Sequence, residues 1–206
     1  HSSALDNKSA ALAAAFQFSP CKLNTHKAIM SAFFQRKMKT YFERIDFDKD
    51  GAITRKDFEG MADRFVTAEK ADAATGEMIK KSICDIWDKY LVKSGQEAIP
   101  QQAFIELMIK QRDCPDLKDC VSGPLPLFFD AVDANRDGFI SSDEFATFFS
   151  IIGLSADMAP ASFQAIDTNN DDLLSRDEFI TAGTDFFMSE DTASLTKLFW
   201  GPLCPM

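Results

Sequence analysis

Histidine is almost absent from this chain: only His1 and His26 occur, both ahead of the first recognisable motif. Imidazole acid–base dyads and histidine metal centres therefore have no material. No Ser/His/Asp, Cys/His or phosphate-loop arrangement is present either, and an enzyme is not expected. The five cysteines (Cys21, Cys84, Cys114, Cys120, Cys204) are odd in number and include no CxxC pair. That reads as a reduced, intracellular protein without a zinc site or disulfide framework. No apolar run approaches the roughly 18 residues of a membrane span, and the first residues lack the apolar core of a secretory leader. Opening on His1 rather than Met reads as a trimmed chain or a fusion remnant. Basic residues are in deficit, 22 against 32 acidic ones, giving a net charge of −10 and a pI near 4.7. Neither nucleic acid nor an anionic membrane suits that balance.

What is present is phenylalanine, 20 residues of it against 2 Tyr and 2 Trp, in a chain that is 46% hydrophobic. Its 206 residues suit one compact domain or two small lobes, with enough apolar material for a sizeable core.

Residues 46–57 read DFDKDGAITRKD. Like charges packed this densely repel, so the stretch is badly made for an empty turn, and a hard cation would remove the conflict. Ca²⁺ takes six to eight oxygens from a loop that supplies them at positions 1, 3, 5, 7, 9 and 12, with Gly at 6. Those places hold Asp46, Asp48, Asp50, the carbonyl of Ala52, Thr54 and Asp57, with Gly51 at the turn and Ile53 at the strand position. The twelfth residue is an aspartate, one methylene shorter than glutamate. It reaches an ion less readily with both oxygens, which moves the site from seven ligands towards the octahedron of Mg²⁺.

The pattern recurs twice. Residues 133–144 offer Asp133, Asn135, Asp137, the carbonyl of Phe139, Ser141 and Glu144. Residues 167–178 offer Asp167, Asn169, Asp171, the carbonyl of Leu173, Ser175 and Glu178, with Asp172 in place of the turn glycine. Aspartate tolerates a left-handed backbone better than most residues. Each loop is followed at once by Phe: Phe58, Phe145 and Phe179. Such units work in pairs, and aligning Ile99 as position 8 with Phe104 as the following aromatic places a further loop at 92–103. Its positions 1, 3, 5 and 12 hold Val92, Ser94, Gln96 and Ala103. With no carboxylate among them, it is read as kept for packing and without a metal.

Apolar residues at helical spacing flank every loop. Phe33, Phe34, Met38, Tyr41, Phe42 and Ile45 enter the first; Met78, Ile79, Ile83, Ile86, Trp87, Tyr90 and Leu91 enter the second. Gly153 suits a helix stop, Ser155 the cap of the next helix, and Ser189 the start of a last short helix ending near Gly201. The reading divides the chain into an N-terminal extension (1–24, small, polar and disordered), a first pair of hands (25–113), a second pair (114–188), and a terminal helix and tail (189–206). With Lys8 and Lys22 but no arginine, the extension makes a poor transit peptide.

With these features the chain resembles the invertebrate sarcoplasmic calcium-binding proteins, an EF-hand family, and is close to the coelenterazine-binding (luciferin-binding) proteins of luminous cnidarians. The resemblance covers roughly residues 30–206. It rests on four hands with the second silenced, on Asp57 closing the first loop, on RKMKTYFERIDFDKDGAITRKDF, and on the terminal LFWGPL at 198–203. It implies an all-α fold, four EF-hands in two lobes packed as one compact body, with ions in loops one, three and four. The related photoproteins rely on histidine-containing triads around a peroxide, so light emission is not expected here.

Three functions remain from different classes. The first is a cytoplasmic Ca²⁺ and Mg²⁺ buffer, a monomer or weak dimer, with three sites. The second is a Ca²⁺-triggered carrier of a small aromatic ligand such as coelenterazine, housed among the Phe and Met side chains. The third is a sensor that opens a groove for a target helix, but the eight Met are scattered from Met30 to Met206, so a Met-rich groove is not evident. The expectation is a buffer with a filled core closed by Trp200.

Overall fold

The apolar spacing becomes helices whose buried faces are the ones read from the sequence. In the computed structural model, residues 32–68, 70–91, 97–111 and 117–205 are described. The expectations placed on residues 1–24, on Cys21, His26, Cys114, Val92, Ser94 and Gln96, and on the side chains of Tyr90 and Cys120 lie outside them. Helix α1 (Ala32–Ile45) turns Phe34, Met38, Tyr41, Phe42 and Ile45 inwards. That is the i, i+4, i+7, i+8, i+11 stripe of a core-facing helix. Helix α2 (Arg55–Ala68) buries Phe58, Met61, Ala62 and Phe65. Helix α3 (Ala73–Ile86) is capped by Asp72, whose side chain accepts from the Thr75 N–H at 2.8 Å, and runs into a π turn at Trp87–Leu91. Helix α4 (Gln101–Gln111) completes the first pair of hands.

The second pair comprises α5 (Leu117–Ser122), α6 (Leu125–Val132), α7 (Ser142–Ile151), a 3₁₀ turn (Ala156–Met158), α8 (Ala159–Ile166) and α9 (Arg176–Met188). A last 3₁₀ turn covers Leu195–Leu198. Helices α7 and α9 each open with a complete capping box, Ser141 with Glu144 and Ser175 with Glu178. The residues that would ligate an ion at positions 9 and 12 thus also satisfy the first free amides of the exit helix.

Two short antiparallel ribbons tie the hands in pairs. Strand β1 (Ala52–Ile53) pairs with β2 (Ile99–Pro100), Ile53 opposite Ile99. Strand β3 (Phe139–Ser141) pairs with β4 (Leu173–Ser175), Ile140 opposite Leu174. Both registers match position 8 with position 8, which fixes the alignment of the silenced second hand. The fold is all-α, with four EF-hands in two pairs and the second hand degenerate.

The C-terminal tail joins the pairs. Phe199 and Trp200 are fully buried. The Trp200 ring meets Tyr41 of α1 at 4.9 Å, Phe128 of α6 at 5.2 Å and Phe148 of α7 at 5.8 Å between centroids. Gly201 turns with φ +78°, where a side chain is strained, and a Cβ there would lie 2.4 Å from Leu154 Cδ1 and displace it. Beyond it α1 holds the tail by its backbone. Arg44 donates to the carbonyls of Trp200 and Pro202, Arg36 to those of Leu203 and Cys204, and Lys39 to that of Pro205. The Cys204 N–H donates to Thr40 Oγ1 at 2.9 Å. Lys37 is buried on the same helix and donates to the carbonyls of Phe186 and Ser189 at the end of α9, where a cation meets the negative pole of that helix.

Three local expectations are corrected. Ser155 precedes a 3₁₀ turn and makes no side-chain cap. Ser189 is the C-cap of α9, its N–H on the Asp185 carbonyl, and the last helical turn begins only at Leu195. The reason is local side-chain competition with the helix. Asp191 accepts from the Ala193 N–H, while Asp185 takes the hydroxyls of Ser194 and Thr196. Met78, placed on an apolar stripe by spacing, is 43% exposed.

Trp200 is the contact shared by three helices, so Trp200→Ala should lower stability by about 3–5 kcal/mol in urea unfolding of the ion-free protein. A loss below about 1 kcal/mol would show that the tail rests on the core without joining it.

Candidate metal centres

Each loop is built by the same backbone bends. Position 4 is left-handed in all three (Lys49 φ +62°, Arg136 φ +59°, Asn170 φ +57°), and so is position 6 (Gly51 φ +89°, Gly138 φ +90°, Asp172 φ +63°). Asp172 therefore makes the turn that glycine makes elsewhere, as expected. Its N–H donates to Asp167 Oδ2 at 3.1 Å, the distance at which Gly51 holds Asp46 and Gly138 holds Asp133.

Side chains then point backbone amides at the carboxylates in repeating fashion. In the first loop Asp48 Oδ1 accepts from Asp50 N–H at 3.1 Å, and Asp50 Oδ1 from Ala52 N–H at 2.9 Å. Asn135 and Asp137 repeat this in the third loop, as do Asn169 and Asp171 in the fourth. The acidic ligand atoms of Asp46, Asp48 and Asp50 come within 4.8 Å of one another. Loops three and four carry an asparagine at position 3, so their carboxylates at positions 1 and 5 are spaced by a neutral group.

Position 12 closes each ring. Glu144 Oε1 accepts from the N–H groups of Ala134 and Asn135 at 3.2 and 3.4 Å, and Oε2 from Ser141 N–H and Oγ at 2.8 and 2.7 Å. Asp57 does the same with a shorter arm. Its Oδ1 accepts from Phe47 and Asp48 N–H at 2.8 and 3.2 Å, and its Oδ2 from Thr54 N–H and Oγ1 at 2.6 and 2.9 Å. The lost methylene draws its carboxylate deeper, 1% exposed against 9% for Glu144.

One feature separates these loops from ordinary acidic turns. Oδ1 of Asp46 and Oδ1 of Asp133 are buried and have no hydrogen-bond partner. A buried carboxylate oxygen without a donor is costly. Burial raises the pKa of Asp46, the Gly51 N–H lowers it, and the neighbouring Asp57 raises it again. Burial and Glu144 likewise raise that of Asp133, against the Gly138 N–H. A divalent cation would supply both the missing partner and the missing counter-charge. In the fourth loop Asp167 Oδ1 instead accepts from the amides of Asn170 and Asp171 at 2.8 and 3.3 Å. Burial pushes Glu178 up there, but hydrogen bonds from Ser175 and Thr168 bring it down to about 2.

Sequence reasoning missed Thr168, whose hydroxyl donates to Glu178 Oε1 at 2.8 Å from position 2, outside the odd-numbered ligand pattern. It also missed that the Trp200 indole Nε1 is buried without a partner, which no spacing rule reveals. In the second hand, Ala103 sits on α4 and packs partly buried against the core.

Comparison with known proteins agrees with this geometry. A family model described as an EF-hand domain pair matches residues 126–182, and one described as an EF hand matches residues 38–62. The sarcoplasmic calcium-binding protein of Perinereis vancaurica tetradentata is 55% identical over 174 residues, covering 84% of this chain and 99% of that protein. The luciferin-binding protein of Renilla reniformis is 28% identical over 84% of this chain and 95% of its own length. Among solved structures, the coelenterazine-binding protein of Renilla muelleri, in its calcium-loaded apo form, superposes with a TM-score of 0.74. It has 28% identity over 84% of this chain and 97% of that one. With more than half of its aligned residues shared along nearly the full length of the Perinereis member, the chain belongs to the sarcoplasmic calcium-binding protein family.

Proposed function

We propose that this protein is a non-catalytic Ca²⁺ buffer of the cytoplasm with three ion sites, one in the N-terminal pair of hands (25–113) and two in the C-terminal pair (114–188). Oxygens of Asp46, Asp48, Asp50, Ala52, Thr54 and Asp57 would hold the first ion. Asp133, Asn135, Asp137, Phe139, Ser141 and Glu144 would hold the second, and Asp167, Asn169, Asp171, Leu173, Ser175 and Glu178 the third. The observation that carries this is the pair of buried, partnerless oxygens on Asp46 and Asp133 at the head of rings that contain acceptors of the right kind. Ten carboxylates occupy the three ligand sets, and three divalent ions would neutralise more than half of their charge. Among the described residues no helix is long and apolar enough to cross a membrane. The first loop would also accept Mg²⁺, because a buried aspartate at position 12 favours a small, six-oxygen shell over a seven-oxygen one.

A second reading, a carrier for a small aromatic ligand, is favoured by the partnerless indole N–H of Trp200 within a ring of aromatics. Against it, those rings already touch one another: Tyr41 meets Phe187 at 4.9 Å, and Phe199 meets Trp200 at 5.4 Å. The filled core remains the preferred reading.

Calorimetric titration should give three Ca²⁺ per chain, and Glu144→Gln or Glu178→Gln should remove one each. Stripping the ions with a chelator should lower stability by about 2.7 kcal/mol per site relative to Ca²⁺ at a hundredfold excess over Kd. A fourth ion, or no loss in either variant, would refute the assignment. Asp57→Glu should raise the preference of the first loop for Ca²⁺ over Mg²⁺; unchanged competition would remove the explanation given for the aspartate. Added coelenterazine should bind weakly or not at all. Stoichiometric binding that Ca²⁺ reverses would put the carrier first.

A further inference from the structure

The side chain at loop position 10 reaches across to the partner hand in a repeated way. Arg55 of the first loop donates to Asp88 at the end of the helix entering the second hand, Nε to Oδ1 at 3.3 Å. Gln101 of the silenced second loop donates from Nε2 to Glu43 Oε1 of α1 at 2.7 Å. Arg176 of the fourth loop donates to Asp130 of α6. Glu43 and Asp130 each stand three residues before the partner loop. Asp88 stands four before, and the π turn at Trp87–Leu91 accommodates the extra residue. At position 10 of the third loop Ser142 is too short for this reach.

We infer that Gln101 is a positioning residue of the first metal site, acting on it from the hand that has no ligands of its own. This rests on the reading of residues 46–57 as a cation site. Gln101 is tied to that loop twice. Its side chain fixes Glu43, three residues before the first ligand Asp46, and its backbone N–H donates to the Gly51 carbonyl at 3.2 Å. Gly51 in turn holds Asp46 Oδ2 by its own N–H and precedes Ala52, whose carbonyl is the ligand at position 7. Gln101 therefore spans both ends of the first half of the loop. Beside it, Ile99 pairs with Ile53, and Trp87 packs on Phe58 at 6.0 Å. The silenced hand thus supplies the surface against which the first loop is shaped. Without the side-chain clasp, the entry helix keeps its packing but loses the bond that sets its angle to the turn.

The test uses the full chain labelled with ¹⁵N-glycine. The Gly51 and Gly138 amides each bond the first carboxylate of their own loop at 3.1 Å, so their signals report loops one and three separately, while the fourth loop has Asp172 there. In the unmodified protein both should move on adding Ca²⁺. In Gln101→Ala the Gly51 midpoint should rise about 3- to 10-fold in Ca²⁺, the worth of one hydrogen bond, while the Gly138 midpoint stays. Gln101→Arg, which installs the residue used at the other two clasps, should restore it. An unmoved Gly51 midpoint, equal shifts of both glycines, or no rescue by arginine would each overturn the inference alone. A Gly51 signal that ignores Ca²⁺ in the unmodified protein would overturn the underlying site as well.

Discussion

Three carboxylates within 4.8 Å of one another set the terms for the first loop. Two unit charges about 4 Å apart repel by about 1 kcal/mol in water and about 4 kcal/mol at an effective dielectric of about 20. A hydrogen bond to a charged group returns about 1.5–3 kcal/mol. Backbone amides of Asp50, Gly51 and Ala52 each hold one of these acids, so hydrogen bonding offsets the repulsion of a pair. It does not neutralise the trio, because an amide dipole carries no net charge. The left-handed bends at positions 4 and 6 aim those amides at the carboxylates, and one oxygen of Asp46 is left buried without a donor. Only a charge of opposite sign would neutralise the trio.

That organisation is handed to the core through residues that do two things at once. Ser141 with Glu144, and Ser175 with Glu178, cap the exit helices with the same atoms that would bind an ion. The aromatic that follows each loop, Phe58, Phe145 or Phe179, is fully buried. A change at position 12 therefore moves a helix whose first turn is locked to the core. The tail bridges the pairs, since Trp200 touches Tyr41 on the helix entering the first loop and Phe128 on the helix entering the third.

The sequence made the loops, the helix faces and the silenced hand legible because each depends on local chemistry with a fixed period. Ligand positions are set within twelve residues, and buried faces by the helical repeat. The register Ile53–Ile99 could be read in advance because position 8 must meet position 8 in a two-stranded ribbon. What stayed hidden depends on contacts distant along the chain. Lys37 looks like a surface lysine on an amphipathic helix, yet it is buried under the end of α9. Arg36 and Arg44 hold tail carbonyls more than 150 positions away. The failure at Ser189 is different in kind: its hydroxyl and the acids after it offer a good helix start, but Asp191 takes the Ala193 N–H and Asp185 the hydroxyls of Ser194 and Thr196 first.

The second hand shows why a loop can lose its ligands and still be kept. Deleting it would expose Ile53, unpair β1, and uncover the side of Phe58 that meets Trp87. Burying one large apolar side chain is worth about 1.5–3 kcal/mol, so losing two such surfaces would remove a large part of a margin that is about 5–15 kcal/mol for a whole domain. The carboxylates are a separate matter. A second ring of acids opposite Asp46, Asp48 and Asp50 would add repulsion across the ribbon until a second ion arrived. With Gln101 and Ile99 there instead, the first loop is braced by a ribbon pair, an amide on Glu43 and the Arg55–Asp88 ion pair, with no second ring of acids facing it. A hand without carboxylates at these positions therefore keeps its packing role, through Ile99 on Ile53 and Trp87 on Phe58.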